Sequence, residues 1–73
     1  MACINADGSL TPIARKVLTA LQSPGTAMEI SERSGVPLYR VRSSFRELTQ
    51  LGAMQVANEK YQISDYGQQL LFS

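Results

Sequence analysis

Helix-breaking residues punctuate the first 52 positions so closely that no long helix can form there. Ser23-Pro24-Gly25, Gly35 followed by Pro37, and Gly52 interrupt stretches whose apolar residues recur at helical spacing, and such residues end helices or start new ones. The sequence therefore predicts three helices in succession. The first begins at Thr11-Pro12, where the threonine caps and the proline occupies the first helical position, at which its missing N–H costs nothing. Ile13, Val17, Leu18 and Leu21 form its apolar stripe, with Arg15, Lys16, Thr19 and Gln22 on the other sides. Thr26-Ala27-Met28-Glu29 is a capping box that opens a second helix of two turns, closed at Ser34-Gly35, with Ala27, Ile30 and Val36 facing inward. The third runs from Pro37 or Leu38 to Leu51 and ends at Gly52. Val41, Phe45 and Leu48 share one face, flanked by Ser44 and Leu51, while Tyr39, Ser43, Arg46 and Gln50 project from the opposite face, with Arg42 beside them.

After Gly52 the apolar period changes from helical to two. Met54 and Val56 alternate with Gln55 and Ala57, Asn58-Glu59 turns the chain, and Tyr61 and Ile63 alternate with Gln62 and Ser64, the pattern of a short hairpin. Asp65 to Phe72 then forms a closing helix packed through Tyr66, Leu70 and Leu71, with Gly67 inside it. With 73 residues, 44% of them apolar and 18% charged, one globular core is the expectation. Residues 1–9 read as a loose tail and residues 10–73 as the domain: mainly α with a small β-hairpin, an α+β fold of three helices, a two-stranded hairpin and a short C-terminal helix.

Composition narrows the chemistry. The first residues lack the basic start and apolar run of a secretory signal, and no stretch approaches about 18 consecutive apolar residues, so a cytoplasmic protein with no membrane partner is expected. Cys3 has no second thiol to pair with, and without histidine the usual zinc sites are excluded, leaving no metal and no cofactor. No phosphate-cradling glycine loop and no acid pair suited to proton transfer is legible, so the chain is not expected to be an enzyme. The net charge is only +1, but Arg33, Arg40, Arg42 and Arg46 lie in a window that contains no acid.

Two short helices joined by a glycine-containing turn make a helix-turn-helix unit, and a hairpin directly after the longer helix makes a wing. Over residues 10 to 72 the chain resembles the winged helix-turn-helix superfamily, in the manner of bacterial MarR, ArsR and PadR regulators. The resemblance rests on Val41-Arg42-Ser43-Ser44-Phe45-Arg46-Glu47-Leu48-Thr49-Gln50-Leu51-Gly52-Ala53-Met54, similar to a recognition helix ending in Leu-x-x-x-Gly. It rests equally on Tyr61-Gln62-Ile63-Ser64-Asp65-Tyr66-Gly67-Gln68-Gln69-Leu70-Leu71, similar to the segment that leaves the wing. It implies a small DNA-binding transcriptional regulator that places its third helix, about 38–51, in the major groove, as a dimer on a symmetric site. Two departures stand against the pattern: the hairpin tip Asn58-Glu59-Lys60 carries cancelling charges instead of a basic wing, and no long terminal helix is present for dimerisation, which would fall to Leu10, Leu71, Phe72 or the first helix.

Within that reading Tyr39, Arg40, Arg42, Ser43 and Arg46 are the candidate DNA-binding residues, since the arginine fork can engage guanine or phosphate with two hydrogen bonds. Each also has a plain alternative. Exposed helices carry arginine for solvation; Tyr39 is either a contact residue or half-buried packing; the first-turn amides after Pro37 suit a phosphate or water equally. Arg15 and Lys16 read as a solvated face before they read as backbone contacts. The rival function is a winged-helix protein-interaction module, a small adaptor or phage-type inhibitor of a host complex, in which tyrosine and arginines anchor a protein partner.

Overall fold

A computed structural model describes residue 5 and residues 8–72; Cys3 and most of the expected tail lie outside the described residues. The order is α1 (Pro12–Ala20), α2 (Ala27–Ser34), α3 (Leu38–Leu51), β1 (Met54–Ala57), β2 (Lys60–Ile63) and α4 (Asp65–Phe72). The protein is thus mainly helical with one antiparallel hairpin, an α+β fold. Among the described residues no helix is long and apolar enough to cross a membrane.

Local chemistry accounts for the element boundaries. Thr11 accepts from the Ala14 amide at the start of α1. At α2 the Thr26 hydroxyl accepts from the Glu29 amide at 3.3 Å while Glu29 accepts from the Thr26 amide at 2.9 Å, closing the capping box. This amide, with the nearby Lys60 ammonium acting in the same sense, holds the Glu29 carboxyl below its ordinary pKa. Gly35 and Gly52 end α2 and α3 with φ of 73° and 79°, the left-handed region that glycine enters without a Cβ penalty. Ser64 opens α4: its hydroxyl accepts from the Gly67 amide and donates to the Gly52 carbonyl.

The four helices and the hairpin close on one core that includes Leu10, Val17, Leu18, Leu21, Ile30, Val36, Val41, Phe45, Leu48, Met54, Ile63 and Leu71. Several placements differ from the sequence expectation. Ala14, fully buried, takes the inward position assigned to Ile13, which is only half-buried. Ala14, Val17, Leu18 and Leu21 follow the i, i+3, i+4, i+7 spacing of one helical face, and Ile13 sits at its edge. Leu21 lies past the end of α1 as its C-cap. Val56, expected to share the inward face of Met54, is 65% exposed, because the core covers the base of the hairpin and leaves the strand end near the turn in solvent. Tyr66 is also exposed; Gly67 and Leu71, four apart, form the buried line of α4. Leu10 and Leu71 are core residues, which removes them from any dimer surface and leaves exposed Phe72 and the outer face of α1.

The hairpin pairs Met54 with Ile63 and Val56 with Tyr61. Its two-residue turn puts Asn58 and Glu59 at φ of 52° and 66°, the pair of positive values a type I′ turn requires. Asparagine tolerates this region; glutamate is strained in it. Glu59→Gly should therefore raise stability by about 0.5–1 kcal/mol, read as a shift in the urea midpoint at constant slope.

The segment between α1 and α2 is more than a break. Gly25 exchanges two backbone hydrogen bonds with Tyr61 at 3.0 and 2.8 Å, and the Ile63 amide donates to the Leu21 carbonyl. One edge of the hairpin is thereby tied to the helical body, with Tyr61 stacked at a tilt on Phe45, their ring centroids 4.6 Å apart.

Candidate nucleic-acid interface

One side of α3 is consumed by the fold: Val41, Ser44, Phe45 and Leu48 are buried. That burial fixes the rotation of the helix and turns Tyr39, Ser43, Arg46 and Gln50 outward, with Arg40 and Arg42 also exposed. All five candidate residues, Tyr39, Arg40, Arg42, Ser43 and Arg46, are thus brought to one accessible helix. Of the two readings of Tyr39, half-buried packing is excluded, since the residue is 69% exposed. Pro37 caps α3 without a side-chain hydrogen bond, and its carbonyl accepts from the Arg40 and Val41 amides.

The five arginines divide into two groups by what their guanidinium groups touch. Arg33 is turned back onto the loop after α1, donating to the carbonyls of Ala20, Ser23 and Pro24 at 3.3, 2.8 and 3.2 Å. It fastens the segment that carries Gly25, and its guanidinium packs against the Gly25 backbone, 3.0 Å from where a Cβ on Gly25 would fall. Arg15 donates to the Leu71 carbonyl at 2.9 Å, at the C-terminal end of α4. Both are structural, a role that sequence spacing alone could not reveal because the acceptors are backbone carbonyls distant in sequence. Arg33→Ala should cost about 1 kcal/mol of stability, the net worth of such partly exposed hydrogen bonds, measurable by chemical denaturation.

Arg40, Arg42 and Arg46 behave differently: none donates a hydrogen bond or forms an ion pair with another described residue. The one acid close by in sequence, Glu47, is half-buried and lines a shallow polar cleft with Arg42, Ser43 and Arg46. At the hairpin, Lys60 lies 4.0 Å from Glu29, so the tip presents no concentrated positive charge. Compared with protein-family models, curated proteins and solved structures, the chain matches none.

Proposed function

We propose that this chain is a winged helix-turn-helix domain that binds double-stranded DNA by laying α3 in the major groove, as a small transcriptional regulator of bacterial, phage or archaeal type working in the cytoplasm. The observation that carries the proposal is the division of the arginines: two are engaged by backbone carbonyls, and the three that bond to no other described residue are all exposed on α3. The order of elements supports the domain type, with α2 and α3 joined through Gly35-Val36-Pro37, a hairpin directly after α3, and the Gly25 segment bonded to that hairpin. A helix with its side chains is about 10–12 Å across, close to the roughly 12 Å width of the major groove. The hairpin contributes position more than charge, since Lys60 is turned to Glu29. On a symmetric site two copies would bind, with exposed Phe72 available to a two-fold contact.

Titration of isotope-labelled protein with a short duplex, followed by amide NMR, tests the placement. Shifts concentrated at residues 38–46 and fading with added salt are expected. Shifts spread over α1 or α4, with α3 unmoved, would overturn it.

A second reading, a protein-interaction module, is favoured by Tyr39: a tyrosine 69% exposed among arginines has the composition of an interface anchor. Stoichiometric recovery of one partner protein, insensitive to nuclease, is the result that would establish it.

A further inference from the structure

The rotation of α3 separates its arginines into distinct positions around the helix. At about 100° per residue, the buried residues Val41, Ser44, Phe45 and Leu48 centre on one direction, and the opposite direction runs along Tyr39, Ser43, Arg46 and Gln50. Arg46 stands within about 30° of that outward line, while Arg40 and Arg42 lie to opposite sides of it, roughly 160° apart. A helix seated in the major groove with its buried face toward its own protein has base edges along the outward line and one phosphate backbone along each flank.

We infer that Arg46 reads a base edge, in the form of a guanine engaged through O6 and N7, and that Arg40 and Arg42 hold the phosphates of the two opposite strands. This rests on the DNA-binding reading above. The chemistry of each position favours the assignment. A guanidinium on the outward line can present its planar fork to guanine, the base whose major-groove edge offers two adjacent acceptors. A guanidinium on a flank meets phosphate oxygens, which any cation can satisfy and which carry no sequence information. Of the other residues on the outward line, Ser43 is short and Tyr39 and Gln50 carry no charge, which leaves Arg46 the one cation on that line.

Lysine substitutions separate the roles, because they keep the charge and remove the fork, and all three positions are exposed enough to accept them. The experiment selects binding sites from a randomised duplex library with the unaltered protein and with Arg46→Lys, Arg40→Lys and Arg42→Lys. Affinity for the selected site is then measured across a salt series, with Arg40→Ala and Arg42→Ala added. Arg46→Lys should lose roughly 5- to 150-fold of the preference for guanine at one position while keeping the salt slope. Arg40→Lys and Arg42→Lys should keep the preference, and each alanine variant should weaken binding to all sequences alike and lower the salt slope by about one. Salt-dependent duplex binding in which Arg46→Lys keeps the guanine preference, or in which a flank lysine variant loses it, would overturn the division of roles and leave DNA binding standing. Absence of duplex binding by the unaltered protein at low salt would overturn both.

Discussion

Gly67→Ala is expected to destabilise the domain by about 3 kcal/mol or more, although the same change on an exposed helix stabilises by about 1 kcal/mol through helix propensity. The sign is decided by what surrounds the residue. Gly67 is buried in α4, and a Cβ there would overlap the Ala53 carbonyl oxygen and come within 2.8 Å of the Ile63 side chain. The Ala53 carbonyl cannot yield cheaply, because it already accepts from the Ser64 amide at 3.0 Å and belongs to the chain between α3 and β1. Accommodating the methyl means lifting α4 from the body, which would strain the Ser64 cap and the Arg15 bond to Leu71 together. For a domain this small, whose total stability is on the order of 4–11 kcal/mol at typical per-residue values, the loss is a large fraction. Urea denaturation followed by circular dichroism measures it. Stability equal to or above that of the unaltered protein would mean that α4 does not pack on Ala53 as described.

Replacing Arg42 and Arg46 together by alanine should abolish measurable duplex binding at physiological salt while leaving the fold intact. A base-reading arginine contributes about 1–3 kcal/mol, and a phosphate-holding one contributes a salt-sensitive increment shared by all sequences. With two of the three open arginines removed, what remains is Arg40 and the weak net charge. Because neither side chain bonds to another described residue, the stability measured by urea should stay within about 0.5 kcal/mol of the unaltered protein, as for surface substitutions generally. A loss of binding accompanied by unfolding would assign these residues to stability instead.

Much of this architecture is legible in the sequence because its boundaries are set by local chemistry. The capping box at Thr26 and Glu29, the left-handed glycines at 35 and 52, and the change of period after Gly52 each act within a few residues. The inward face of α3 follows from helical spacing alone, and so does the exposure of the five candidate residues on its other side. What the sequence does not show depends on distant neighbours. Gly25 reads as a helix stop, yet its buried place and its two bonds to Tyr61 arise only when the hairpin folds back against the α1–α2 segment. Arg33 belongs by sequence to a basic cluster and by structure to a loop clamp, since its acceptors are the carbonyls of Ala20, Ser23 and Pro24. Alternation predicts an inward Val56, but period says nothing of how far the core extends beneath a strand. Gly67 stands out in the sequence only as a glycine within a helix; the reason for it is the backbone of residue 53.

The most direct test of DNA recognition through α3 is a fluorescence-anisotropy titration of labelled random-sequence duplex, at low and at physiological salt, with the unaltered protein and with the Arg42→Ala, Arg46→Ala double variant. Binding that weakens steeply with salt and disappears in the double variant is the predicted result. Binding by the unaltered protein that the double variant retains in full, or no binding at low salt, would contradict the assignment of α3 as a nucleic-acid surface.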